Sequence, residues 1–134
     1  MHKGFLRTGA ITALLAVVFG AFAAHTLKNM MISDHAVASF ETGARYQFYH
    51  AFALLITGIL FKEFKFSTTV WAGRFFILGI ILFSGSLYCL TAVQAAVKPG
   101  YGWVGAITPI GGLCFLAGWF LLFLSFFKKQ STKP

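Results

Sequence analysis

Four stretches of this chain carry no Lys, Arg, Asp or Glu and are bracketed by basic residues. Thr8 to Leu27 lies between Arg7 and Lys28, Tyr46 to Phe61 between Arg45 and Lys62, and Phe75 to Val97 between Arg74 and Lys98; Gly100 to Phe127 precedes Lys128. A bilayer core about 30 Å thick is crossed by about 20 consecutive apolar residues in a helix that rises about 1.5 Å per residue. The runs therefore predict spans near 8–27, 46–61, 75–97 and 103–127. The second is short, but Ser33 or Asp34 is a good N-cap, so its helix is expected to start near residue 35 and to carry Glu41 and Arg45 in its first turns, outside the hydrocarbon. A chain of 134 residues that is 58% hydrophobic and 10% charged is no ordinary soluble domain. The expected fold is an all-α membrane protein, one domain over residues 1–134 in which four transmembrane helices form a bundle.

The formal net charge of +8 does not point to nucleic acid, because the eleven Lys and Arg are scattered between apolar runs and make no basic face. They read as topology signals. With four spans, Lys3, Arg7, Lys62, Lys65, Arg74, Lys128, Lys129 and Lys133 share one side, and only Lys28, Arg45 and Lys98 occupy the other. This bias predicts both termini in the cytoplasm. The N-terminal HKGFLR followed by ITALLAVVFGAFAA also has the parts of a signal peptide, with Ala21, Phe22 and Ala23 at a possible cleavage motif, but the uncleaved span is the preferred reading. Tyr46, Trp71, Tyr101 and Trp103 fall near span ends, where interfacial aromatics belong.

Helices in lipid associate through small residues and polar side chains, because the tails are as apolar as leucine. Ala16, Gly20 and Ala24 form one expected packing strip; Gly105, Pro109 and Gly112 form a second, and Gly111, Cys114 and Gly118 a third. Ser84, Tyr88, Thr91 and Ala95 share a face of the third span, with Gln94 alongside. Thr108 before Pro109 is a plausible N-cap, so residues 99–107 are either a re-entrant loop or, as preferred here, the first turns of a kinked helix. Cys89 and Cys114 match no metal spacing and read as small buried residues.

The stretch FETGARYQFYHAFALL, residues 40–55, separates on a helical wheel into two faces. Gly43, Gln47, His50, Leu54, Thr57 and Gly58 should point into the bundle; Glu41, Arg45, Phe48, Phe52, Leu55 and Ile59 should meet lipid or a second protomer. Glu41 and Arg45 have the spacing of a surface ion pair. His50 lies deep enough to require a partner, with Thr108, Gln94 or Tyr88 the expected ones. Adding His25 gives a candidate polar site of His25, Glu41, Arg45, Gln47, His50, Gln94 and Thr108, all expected in the non-cytoplasmic half as a blind vestibule.

GAFAAHTL at 20–27, the FET-x-x-RYQFYHA block at 40–51, LGIILFSGSLY at 78–88 and GAITPIGGLCFLAGW at 105–119 resemble the domain-of-unknown-function 423 family. These small bacterial inner-membrane proteins are also called uncharacterised protein family 0382 and are related to eukaryotic transmembrane protein 256. The resemblance covers most of the chain in order; it departs at Ala23, where glycine is the familiar residue, and in AVKPGYGW. It implies a four-span plasma-membrane protein and supplies no catalytic residues.

Three functions compete. A non-enzymatic structural or accessory protein, binding itself or a membrane partner, needs nothing beyond the features above. A small-molecule or ion carrier would use Glu41, His25 and His50, although no carboxylate lies deep in a span. Haem held between His25 and His50 is a minor third possibility, and otherwise no cofactor or metal is expected. Enzymes of the soluble kinds are disfavoured, because no nucleophile triad, zinc spacing or phosphate loop is present.

Overall fold

A computed structural model describes residues 1–30, 33–96 and 102–128. Among these, the elements are helices: α1 (Lys3–His25), a 3₁₀ turn (Leu27–Asn29), α2 (Asp34–Leu60), α3 (Ser67–Gly79), a π turn (Ile80–Ser84), α4 (Gly85–Ala95), a second 3₁₀ turn (Gly102–Ala106) and α5 (Ile107–Ser125). α3, the π turn and α4 run on as a single rod. Lys3–Asn29, Ser67–Ala95 and Gly102–Ser125 are each long and apolar enough to cross a membrane. α2 has the length, at 27 residues, but Asp34, Glu41 and Arg45 dilute its first half. Large apolar side chains such as Leu14, Val17, Phe52, Ile81, Leu116 and Phe120 stand exposed on the outside, as lipid-facing residues do.

Ser33 starts α2 as expected: its hydroxyl accepts from the Ala36 amide at 3.2 Å. α5 begins differently. Its N-cap position falls on Ala106, not Thr108, and the 3₁₀ turn runs straight into it, so 102–107 is helical throughout. Pro109 is the third residue of α5, at the junction where the 3₁₀ turn passes into the α-helix. Residues 99–101 of the expected segment 99–107, Tyr101 included, lie outside the described residues.

α1 packs along α2, α2 against the α3–π–α4 rod, and that rod against α5. The His2 amide donates to the Gly58 carbonyl at 2.8 Å, and Phe64 meets Phe126 edge to face at 5.2 Å. The N-terminus, the α2–α3 connection and the end of α5 thus share one end of the bundle. α2 is the central helix, and Gly43, Gln47, His50, Leu54, Thr57 and Gly58 are all buried, the face its sequence periodicity sends inward. Leu55, expected toward lipid, instead lies against Gly9 of α1.

The small-residue strips are only partly the expected ones. On α1 the buried line is Phe5, Gly9, Ala16 and Ala23; Ala24 is exposed, and nothing lies within 4 Å of where a Cβ on Gly20 would stand. On α5 the strip Gly111, Cys114 and Gly118 is buried, whereas a Cβ on Gly105 would meet open space and Gly112 only touches the Phe83 ring. The strip that is used is the one turned toward a neighbour, and helix rotation decides which that is. A Cβ on Gly9 would sit about 3.0 Å from the Ala51 carbonyl oxygen. Gly9→Leu is therefore expected to lower stability in detergent by about 2 kcal/mol and Gly20→Leu by less than about 0.5 kcal/mol, read from paired thermal unfolding curves.

Candidate functional site

The polar residues of the central helix find their partners at two adjacent levels. At the first, the Gln47 side chain bridges three helices: its Nε2 donates to the Thr12 carbonyl of α1 at 2.8 Å, and its Oε1 accepts from the Tyr88 hydroxyl of α4 at 2.9 Å. One amide thereby satisfies both neighbours. Tyr88 also stands among Phe19 and Phe40, with ring centroids 4.9 and 4.6 Å away. Thr91, one turn along the same face, donates to the Ala36 carbonyl of α2 at 3.0 Å.

At the second level, about one turn along α2, lies His50. Its Nδ1 is 2.8 Å from the Tyr46 carbonyl, and its Nε2 is 3.3 Å from the indole Nε1 of Trp119 on α5. A carbonyl can only accept and an indole N–H can only donate, so Nδ1 carries the proton and Nε2 has none. The ring is the neutral Nδ1–H tautomer with both nitrogens occupied. It stacks on Phe115, centroids 3.4 Å apart and planes within 9°, and Phe76 closes another side at 5.8 Å. In a setting this apolar, a neutral, fully bonded imidazole avoids the penalty of a buried charge.

The remaining expected members are dispersed. Thr108 pairs with the Ser86 hydroxyl at 2.7 Å, bridging α4 and α5. His25 and Gln94 are exposed near the opposite end of the bundle from the termini. Glu41 does not pair with Arg45; its carboxylate lies 3.3 Å from Lys28 Nζ. Arg45 is exposed and stands level with Ala16, halfway along the uncharged run of α1. Neither Thr108, Gln94 nor Tyr88 partners His50, and among the described residues the expected members do not gather at one site.

The reason is axial position. α2 starts at Asp34, close to the expected residue 35, and over its 27 residues Gln47 falls at the middle of the bundle and His50 toward the end that holds the N-terminus, not in the half assigned to them. His25 and His50 thus lie at different levels, and the imidazole nitrogens of His50 are already engaged, so the pair is not brought together as axial ligands. Among the described residues no group of three His, Cys, Asp or Glu is placed to hold a metal ion. Sequence reasoning missed Thr12, a backbone acceptor without any side-chain signature. It also missed Trp119, whose position four residues beyond Phe115 on α5 was the one available signal.

Comparison with known proteins accords with this architecture. Residues 19–112 match the family model described as "Protein of unknown function (DUF423)". The chain is 44% identical over 126 residues to the UPF0382 membrane protein SAB0533 of Staphylococcus aureus strain bovine RF122 / ET3-1, covering 94% of this chain and 97% of that one. It is 39% identical over 127 residues to the UPF0382 membrane protein YwdK of Bacillus subtilis strain 168, covering 94% and 98% respectively. No solved structure matches it. With the family model spanning most of the chain and relatives aligned nearly end to end, the chain belongs to the DUF423 family, whose similar members here are bacterial UPF0382 membrane proteins.

Proposed function

We propose that this protein is a non-enzymatic, four-span structural or accessory protein of the bacterial plasma membrane, with both termini cytoplasmic. The observation that carries the reading is the pairing of the polar groups around Gln47 and His50. Gln47, Tyr88, His50 and Trp119 use one another, or main-chain carbonyls, as partners. A carrier site needs polar groups that exchange their partners for substrate, and these are already committed. α2 completes four spans because its inner face is buried between α1 and the α3–π–α4 rod, while Phe52, Ile56 and Ile59 face outward. The orientation follows from Lys3, Arg7, Lys62, Lys65, Arg74 and Lys128 at the end that holds the termini.

Two measurements test this. Alkaline phosphatase joined after Met30 or Ala96 is expected to be active in a bacterium with a periplasm, and inactive when joined after Glu63 or Lys128; the reverse pattern defeats the topology. His50→Phe, which keeps a ring on Phe115, is expected to unfold within about 1 kcal/mol of the parent, and His50→Ala to lose about 2 kcal/mol. Proton-coupled uptake by proteoliposomes of the parent that His50→Phe abolishes at full stability would replace the structural reading with the carrier.

A further inference from the structure

An arginine stands on the outside of a membrane-spanning segment without a structural role among the described residues. Arg45 is exposed and level with Ala16, near the middle of the uncharged run from Thr8 to Leu27. Its guanidinium cannot be neutralised by deprotonation, and a charge at that depth requires a counter-charge or a path to the headgroups. The carboxylate one turn away, Glu41, is held by Lys28. Asp34 lies beside Lys28 and Glu41, so the four charges cancel in sum, and the one left without a described partner is that of Arg45.

Arg45 opens onto a groove of about 320 Å³ between α1 and α2. It is lined by the small residues Ala16, Gly20 and Ala44, with Val17 and Phe48 beside them, and by Glu41, whose carboxylate is paired with Lys28. The position a Cβ on Gly20 would take has no atom within 4 Å, so the groove is open there. Side chains on a helix lean toward its N-terminus, which directs the Arg45 stem along this groove toward the Lys28 end of the bundle.

We propose that the groove binds an anionic phospholipid from the non-cytoplasmic leaflet, its phosphodiester drawn down to the Arg45 guanidinium and an acyl chain lying over Ala16, Gly20 and Ala44. A planar guanidinium pairs with two phosphate oxygens at once. A second copy of this chain is the poorer occupant: it would bring another Arg45, with its Glu41 already engaged by its own Lys28. A whole helix is about 10 Å across, and the bulky Val17 and Phe48 beside Ala16, Gly20 and Ala44 suit one acyl chain better. The proposal rests on the four-span insertion proposed above, which the phosphatase fusions report separately, so failure of one is distinguishable from failure of the other.

The test is native mass spectrometry of the full-length protein in detergent, titrated with phosphatidylglycerol and with phosphatidylcholine of identical chains. The parent is expected to bind phosphatidylglycerol about tenfold more tightly, and Arg45→Gln to abolish the preference. Gly20→Leu is expected to weaken both lipids about tenfold while leaving the lipid-free unfolding temperature unchanged, since its side chain enters open space. Equal phosphatidylglycerol binding by parent and Arg45→Gln overturns the proposal. So does displacement of the lipid by inorganic phosphate at matching concentration, which marks a bare anion site, or a parent dimer that Gly20→Leu abolishes, which puts a second copy in the groove.

Discussion

Replacing Gly111 with leucine is expected to cost about 3 kcal/mol or more of stability, at the upper end of what overpacking does in a well-packed interior. A Cβ at Gly111 would run into the backbone nitrogen and Cα of Phe83, inside the π turn, and main chain cannot rotate away as a side-chain tip can. α5 must then back off from the rod, loosening Phe115 against Gly79 and Phe76 against Gly118, the next two contacts along the same seam. Gly111→Ala is expected to produce most of the same loss, because the clash begins at the first carbon. Gly105→Ala, whose Cβ meets nothing, is the matched control and is expected to stay within about 0.5 kcal/mol of the parent. Thermal unfolding in a mild detergent measures all three; a Gly111→Leu protein as stable as the control would mean that α5 does not lie this close to the π turn.

Phe76→Ala is expected to be the most damaging truncation of a side chain. Phe76 is fully buried, fills the space over Gly118, meets the Trp119 ring at 5.1 Å and closes one side of the His50 pocket at 5.8 Å. In a water-soluble core the loss would be about 3–5 kcal/mol, the sum of a transfer term and a cavity term. Lipid and detergent remove most of the transfer term, since the tails solvate a benzyl group as well as the interior does, so about 2 kcal/mol of packing loss is expected here. Phe76→Leu, which keeps most of the volume, should lose less than about 1.5 kcal/mol. The pair separates packing from chemistry: if both variants unfold like the parent, the seam between α3 and α5 is not where this bundle holds together.

The polar core shows how far such arguments reach from sequence. Gln47 and His50 were legible as inward-facing because a polar group deep in an apolar helix has to be buried, and the period of the helix put Gly43, Leu54, Thr57 and Gly58 on the same side. Their partners were not legible. The acceptor for Gln47 is the main-chain carbonyl of Thr12, available only because Thr12 lies level with Gln47 and faces it, and the donor to His50 is an indole on α5 that makes no periodic pattern with α2. Glu41 illustrates the same limit: spacing along α2 offered Arg45, whereas the 3₁₀ turn after α1 supplied Lys28. Thr108, a cap only if 99–107 were a re-entrant loop, ties α5 to α4 through Ser86.

What the sequence by itself determined is therefore whatever depends on a single helix: the four uncharged runs, the Ser33 cap, the basic bias of one end and the buried face of α2. Each follows from a pattern of period 3.6 or from a residue's own hydration, and no neighbour is needed to read it. The tertiary structure decided the rotation and axial shift of each helix against the next. These choose Gly9, Ala16 and Ala23 over Ala16, Gly20 and Ala24, and bring Gly111 onto the π turn at Phe83. They also leave Arg45 outside, beside an open groove. Such placements come from interdigitation of two surfaces, in which an offset of one turn exchanges every partner while leaving each helix's own pattern unchanged.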